Sequence, residues 1–113
     1  DLILVFDAGT QSVRAAIVNP DGEIESLVKT PIDPYRSPRP GWAELDPDAY
    51  WRQLCLTTRK LLNASAVDAE RLKGVTLTAQ RATMVNLDAE GKALGAAEAV
   101  DIAPSRLPQH RVS

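Results

Sequence analysis

Residues 2–18 read LILVFDAGTQSVRAAIV, and this stretch decides the fold. Its first five residues form a continuous apolar run, which is typical of a central strand that is covered on both faces of a sheet. Residues 7–11 are rich in turn formers, and the apolar residues 13, 15 and 17 then follow a period of two. The stretch therefore predicts two strands joined by a tight hairpin.

The residues after this hairpin predict a third strand and a long loop. The turn Asn19-Pro20-Asp21-Gly22 closes the second strand, and residues 23–29 then suit the third strand of an antiparallel meander. Residues 30–46 contain four prolines, which exclude regular structure and predict an extended loop. A loop of this length often carries function in a compact domain.

A helix is predicted after the loop. Asp46 suits the N-cap and Pro47 the first helical position, and apolar residues then recur at helical spacing up to about Asn63. Residues 67–72 suit a further short turn of helix. The helix that begins after Asp46 is the most clearly marked helix in the chain.

The remaining sequence predicts a parallel strand and a second hairpin. Gly74 ends the short helical turn, and the apolar and β-branched residues 75–78 form a strand that is parallel to a neighbour because a helix leads into it. Residues 84–94 suit a hairpin, and no clear period follows Gly95. A meander, a helix and a parallel strand, in that order, predict an α/β fold: part of a ribonuclease-H-like domain with a mixed sheet.

Composition excludes several classes of partner. The chain has 113 residues, enough for one ordinary domain, with 13 basic residues against 15 acidic ones and the signs mixed along the chain. This balance predicts neither nucleic acid nor an anionic membrane as a partner. The longest apolar run is too short to cross a bilayer, and the lone Cys55 suits packing in a reducing compartment. We therefore expect a cytoplasmic protein.

Residues 7–14, DAGTQSVR, carry the chemistry. A bound phosphate requires backbone N–H groups that approach closely, which Gly9 permits, and hydroxyl donors, which Thr10 and Ser12 supply. Asp7 suits Mg²⁺, held through water, because this hard cation prefers oxygen ligands. Arg14 either meets phosphate charge or has a structural role. The alternative interpretation of the whole segment is a plain hairpin turn.

The same segment resembles the first phosphate motif of the FGGY family of carbohydrate kinases, in the superfamily of actin and the Hsp70 chaperones. Residues 40–47, PGWAELDP, and then Trp51 are similar to the family's next landmark. Residues 78–81, TAQR, resemble the family's strand and substrate loop, and residues 88–94 resemble the hairpin that follows. These landmarks occur in the family's order.

This resemblance implies transfer of the γ-phosphoryl group of ATP, with Mg²⁺, to a hydroxyl of a small-molecule sugar or polyol. The resemblance implies that Asp7 is the metal-associated aspartate. Gln80 and Arg81 face the substrate hydroxyls, and Trp42 either approaches the same cleft or simply packs. The residues implied to bind the cofactor are Asp7, Gly9, Thr10, Gln11, Ser12 and Arg14.

Two departures from the family pattern bear on function. Glycerol kinases have a glutamate after the loop arginine and xylulose kinases usually have methionine and histidine after the glutamine, whereas this chain has Arg81-Ala82. The substrate therefore stays open. Residues 1–94 match the N-terminal part of the family's first domain, and residues 95–113, with the lone His110, form a tail that does not match.

The family's catalytic base, second phosphate loop and adenosine pocket have no counterpart in these residues. We therefore expect no catalytic residue here, and a fragment that is inactive alone and binds ATP weakly or not at all. Strands that lack partners would leave bare edges, so that association into a homodimer is an expected behaviour. The alternative function is a non-enzymatic nucleotide-binding or interaction fragment of the actin and Hsp70 type.

Overall fold

The computed structural model describes residues 1–33, 36–37, 39–40, 44–80, 83–95 and 97–99. The chain divides into two compact units, the first built from Asp1–Asp33 and Trp51–Ala79 and the second from Pro34–Tyr50 and Gln80–Ser113. The elements are β1 (Leu2–Ala8), β2 (Ser12–Val18), β3 (Ile24–Pro31), β4 (Glu44–Leu45), α1 (Pro47–Ser65), a 3₁₀ turn (Ala69–Arg71), β5 (Leu72–Ala79), β6 (Thr83–Met84) and β7 (Ala97–Ala99).

The first unit contains a four-stranded sheet in the order β3-β2-β1-β5. The strand pairs β1–β2 and β2–β3 are antiparallel, and β5 runs parallel to β1. The predicted meander, the helix and the parallel strand that follows it are all confirmed. The first strand lies inside the sheet, as the apolar run predicted.

The core of this unit lies between α1 and one face of the sheet. Leu61 of α1 is fully buried and packs in one cluster with β1 and β2, namely with Leu2, Leu4, Ala15 and Ile17. The buried Thr57 hydroxyl is hydrogen-bonded to Thr30 Oγ1 of β3 and to the Gln53 carbonyl, both at 2.7 Å, so that its polar atom is satisfied inside the core. Helix and meander are thus joined by apolar packing and by one internal polar contact.

The prediction that β1 is covered on both faces was wrong. Ile3, which points away from the helix face, is 39% exposed. The cover is also incomplete on the helix side, because Val75 of β5 lies in register with the buried Leu4 and is 65% exposed. A continuous apolar run indicates that a strand lies inside a sheet. It does not indicate how much of each face of that strand is covered by this part of the chain.

The turns and caps follow the sequence signals. In the β2–β3 turn, the Asn19 side-chain oxygen accepts hydrogen bonds from the backbone N–H groups of Asp21 and Glu23, and Gly22 has a φ of +82°, which favours glycine. Asp46 caps α1 by accepting from the Asp48 N–H at 2.9 Å, as predicted.

Two predicted boundaries were wrong. Gly74 does not precede the parallel strand but lies inside β5, where it pairs with Ile3, and a Cβ there would come within 3.1 Å of Ile3 Cδ1. Glycine at this point makes room for the neighbouring side chain. The strand β3 also continues through Pro31, inside the segment predicted to be loop, because β3 is an edge strand and proline is tolerated there.

The second unit contains a small sheet in the order β4-β7-β6. The sequence analysis predicted neither β4 nor β7, because strands of two and three residues give no measurable period. The hairpin predicted over residues 84–94 is reduced to an isolated bridge between Leu87 and Ala93, whose turn is held by Asp88 Oδ1 accepting from the Glu90 and Lys92 N–H groups. Among the described residues, no helix is long and apolar enough to cross a membrane.

Candidate phosphate-binding site

The turn that joins β1 to β2 is closed by its own backbone. The Gly9 N–H donates to the Ser12 carbonyl at 3.0 Å, and the Ile32 N–H donates to the Gln11 carbonyl at the same distance. A Cβ on residue 9 would lie 2.9 Å from the Ser12 carbonyl oxygen, closer than real Cβ contacts come. Glycine is therefore required for this turn to close as it does, while Thr10 and Gln11 remain exposed at its tip.

The strand register aligns four polar side chains in one row across the sheet. Asp7 of β1 pairs with Arg14 of β2 and with Thr78 of β5, and Arg14 in turn pairs with Lys29 of β3. Residues paired across neighbouring strands lie on the same face, and Phe6, one position before Asp7, packs against the core on the other face. We call Lys29, Arg14, Asp7 and Thr78 the polar row.

Both carboxylate oxygens of Asp7 are engaged within this row. Arg14 Nη1 donates to Asp7 Oδ2 at 2.8 Å, and the Thr78 hydroxyl donates to Asp7 Oδ1 at 2.7 Å. The Arg14 and Asp7 side chains are 36% and 39% exposed. Solvent screens an ion pair at this exposure, so that its net contribution to stability is about 0–1 kcal/mol. Its main effect is to fix where the two charges lie.

A cleft of about 350 Å³ opens beside the hairpin. Five of the residues that line it were predicted from the sequence: Gly9, Thr10, Gln11, Ser12 and Arg14. The other two, Lys29 and Pro31 of β3, were not predicted. The Asn19–Gly22 turn alone would not have found Lys29, because a register shift between Ile17 and Val18 brings residue 29, and not residue 28, opposite Arg14.

The composition of this cleft suits an anion. Two side-chain cations, hydroxyl groups from Thr10 and Ser12, and a glycine that allows close approach converge on one cavity. Within the described ranges, no three His, Cys, Asp or Glu side chains cluster as a metal cage. Asp7, the predicted metal-associated residue, does not itself line the cleft, but it is paired with Arg14, which does. Mg²⁺ commonly binds through one or two carboxylates together with substrate phosphates, so that its binding by Asp7 stays a prediction.

The chain also matches a known family over most of its length. Residues 2–101 match the model for the N-terminal domain of the FGGY family of carbohydrate kinases. The chain belongs to this family. The resemblance inferred from residues 7–14, 40–47 and 78–94 is thereby confirmed.

The similar proteins of the FGGY family are kinases of several small molecules. The chain is 35% identical over 86 residues to a glycerol kinase from Staphylococcus epidermidis, an alignment that covers 76% of this chain and 17% of that protein. A xyloylose kinase from Brucella ovis superposes with a TM-score of 0.81 at 24% identity, covering 87% of this chain and 20% of that one. A Plasmodium falciparum glycerol kinase solved with ADP superposes with a TM-score of 0.62 at 25% identity, covering 86% and 20%.

These FGGY kinases are much longer than the chain described here. The chain spans 17% of the length of the Staphylococcus epidermidis enzyme and about a fifth of the two solved kinases. The part of the FGGY N-terminal domain that the structure describes contains the four-stranded sheet, with the hairpin and the polar row, and the small sheet of the second unit.

Among the predicted substrate residues, Gln80 lies within the described part of the chain. It follows β5 directly and is not one of the residues that line the cleft. Trp42 and Arg81 lie outside the described residues, and their roles stay predictions. Arg14 is paired with Asp7 and also lines the cleft. That it meets phosphate charge stays a prediction.

Proposed function

We propose that this chain is the nucleotide-phosphate-binding part of an ATP-dependent kinase that phosphorylates a hydroxyl of a sugar or polyol. The observation that carries the proposal is the cleft in which the hairpin and two cations converge beside Asp7. A plain hairpin turn requires none of these charges. Membership of a family of carbohydrate kinases supports the same conclusion.

In this proposal the residues of the cleft act by positioning and by neutralising charge. The hydroxyls of Thr10 and Ser12 donate to phosphate oxygens, and Arg14 and Lys29 offset their negative charge. Asp7 would hold Mg²⁺ through water. When bound, that ion neutralises charge that develops on the transferring phosphoryl group. Stabilisation of this kind requires a rigid site, and the closed turn at Gly9 provides one.

The substrate is recognised, in this proposal, by residues that follow β5. Gln80 and Arg81 come after the carboxyl end of a parallel strand, where ligand clefts form in open α/β sheets. Arginine offers a fixed fork of donors that suits adjacent hydroxyls. Ala82 provides no acceptor where glycerol kinases have a glutamate, which favours a sugar or a longer polyol over glycerol. Trp42 would line the same wall of the substrate site.

The test is an assay of the complete protein that carries this segment. ADP release is measured with Mg²⁺ and ATP against a panel of ketoses, aldoses, sugar acids, pentitols and glycerol, and phosphorylated products are identified by mass spectrometry. We expect ATP-dependent phosphorylation of one class, with a turnover well above the background hydrolysis of ATP. Tight nucleotide binding without phosphate transfer to any member of the panel would instead favour the non-enzymatic alternative.

The same assay tests the assigned substrate wall. Arg81→Ala is expected to raise the KM for the sugar and to leave the KM for ATP nearly unchanged, because the arginine faces the acceptor and not the nucleotide. A variant in which both constants are unchanged and only thermal stability falls would make Arg81 structural.

A further inference from the structure

We infer that Thr78 is a positioning residue, whose hydroxyl fixes the orientation of the Asp7 carboxylate that phosphoryl transfer requires. This inference rests on the proposed function, since it concerns the aspartate assigned to Mg²⁺. Thr78 is separated from Asp7 by 71 residues in sequence, yet its Oγ1 lies 2.7 Å from Asp7 Oδ1. Among the described residues, this is the shorter of the two side-chain hydrogen bonds that Asp7 makes.

The strand pairing explains why Thr78 and Asp7 are in contact. Residue 78 lies directly opposite Asp7 in the parallel ladder of β1 and β5, and the ladder is regular from Ile3 to Ala8. The threonine therefore approaches from the side opposite Arg14, which reaches the carboxylate from β2. A carboxylate held at one oxygen can still turn about its Cβ–Cγ bond, whereas one held at both oxygens from opposite sides cannot.

The two partners of Asp7 differ in what happens when an anion binds. Arg14 lines the cleft, so that a phosphate there competes with Asp7 for the guanidinium. Thr78 does not line the cleft and carries no charge, so that its bond to Oδ1 persists. A neutral donor also leaves the negative charge of the carboxylate intact, which a lysine or arginine at residue 78 would offset. A hydroxyl thus orients the group without weakening its attraction for Mg²⁺.

The side chain of Thr78 has little packing to lose. It is exposed, and the core cluster lies on the other face of the sheet. Thr76 gives a matched comparison on the same strand and the same face, since it is also exposed but pairs with Val5 instead of an acid. Removing the hydroxyl at residue 76 therefore measures what the same change does to β5 itself, without touching Asp7.

The experiment compares Thr78→Val, Thr78→Ser and Thr76→Val in the complete kinase. Residues that orient the direct ligands of a metal typically contribute about 10- to 100-fold. Asp7 acts through water, so that we expect Thr78→Val to lower kcat by about 10-fold, the lower end of that range, with the KM for the sugar unchanged. Thr78→Ser keeps the hydroxyl and should recover kcat to within a few-fold of wild type. Thr76→Val should match wild type, and all three should melt at similar temperatures.

A second readout does not depend on activity. Mn²⁺ replaces Mg²⁺, and its affinity for the complex of protein and ADP is measured by electron paramagnetic resonance. We expect Thr78→Val to weaken Mn²⁺ binding by about 10-fold, while the serine variant and Thr76→Val bind it as wild type does. Crystal structures of the two residue-78 variants should show the Asp7 carboxylate rotated in the valine protein and unchanged in the serine protein.

The outcomes separate this inference from the proposed function. If wild type transfers phosphate and Thr78→Val matches Thr76→Val in both kcat and Mn²⁺ affinity, the inference is overturned and the kinase proposal stands. If Thr78→Ser, which keeps the hydroxyl, is as impaired as Thr78→Val, the hydroxyl does not account for the loss, which also overturns the inference. A wild-type protein that transfers no phosphate and binds no Mn²⁺ with ADP overturns both.

Discussion

The two faces of the four-stranded sheet carry different properties on the same strands. On one face, Ala15 and Ile17 of β2 are fully buried against α1 and the first strand. On the other face, Arg14 of the same strand is half-exposed and joins Asp7 and Thr78 in the polar row. Residues one position apart therefore serve packing and chemistry in turn. This comparison teaches that substitutions at neighbouring positions should separate stability from activity.

The two faces of the sheet contribute different amounts to the stability of the fold. Burying a large aliphatic side chain contributes about 1.5–3 kcal/mol, and Leu61 is fully buried. The ion pair of Asp7 and Arg14 is screened by water and contributes about 0–1 kcal/mol. The helix-covered face thus holds the sheet together, while the polar face contributes position and charge.

The largest effect is expected from Leu61→Ala on the packed face. A cavity left in a core costs about 2–5 kcal/mol, and native-state hydrogen exchange of the β1 and β2 amides in the complete protein should accelerate accordingly. Leu56→Ala is the control, since Leu56 lies on the same helix and is 45% exposed. Equal exchange rates in the two variants would show that α1 does not stabilise this sheet.

Much of this comparison could be predicted from the sequence. The apolar run of residues 2–6, the period of two after it and the cap at Asp46 predicted the meander and the helix, because each signal is local. The hairpin residues 9–12 were predicted as a phosphate site because close approach to phosphate restricts which residue types fit, and they line the cleft. That they bind phosphate stays a prediction. Both kinds of signal come from residues that are adjacent in the sequence.

The contacts across strands could not be predicted in the same way. The hydrogen bond from Thr78 to Asp7 depends on the register of a parallel pair whose strands are joined through a helix, and a shift of one residue would turn Thr78 to the other face. The exposure of Val75 and Leu77 also escaped prediction, because residue type indicates a preference for burial but not the element that covers it.

The second-largest effect is expected from a substitution on the polar face of the sheet. Asp7→Ala in the complete kinase should lower turnover on the order of a hundredfold or more, as loss of one preorganised electrostatic contact does, while the KM for the sugar stays nearly constant. Its melting temperature should change little, because the half-exposed ion pair contributes little. Asp21→Ala is the control, since Asp21 is an exposed acid in the β2–β3 turn. Unchanged turnover in Asp7→Ala would make the motif a turn only.

The smallest effect is expected at Lys29, at the end of the polar row. Lys29 lies beside Arg14 in the β2–β3 ladder and lines the cleft, and among the described residues its side chain makes no hydrogen bond or ion pair. It is therefore the cation that can meet a phosphate without first leaving a carboxylate, whereas Arg14 is already paired with Asp7.

Because Lys29 is exposed, solvent screens its charge, and an exposed ion pair contributes about 0.2–1 kcal/mol, which corresponds to a change of roughly 1.4- to 5-fold in an equilibrium constant. Lys29→Gln should therefore raise the KM for MgATP by a small factor of that size, leave kcat and the KM for the sugar unchanged, and lose its effect at high salt. Lys73→Gln removes the same charge from β5, outside the cleft, and should have no effect. If both lysine variants raise the KM for MgATP equally, Lys29 acts only through the net charge of the domain. The cleft would then owe its attraction for phosphate to Arg14 and the hairpin alone.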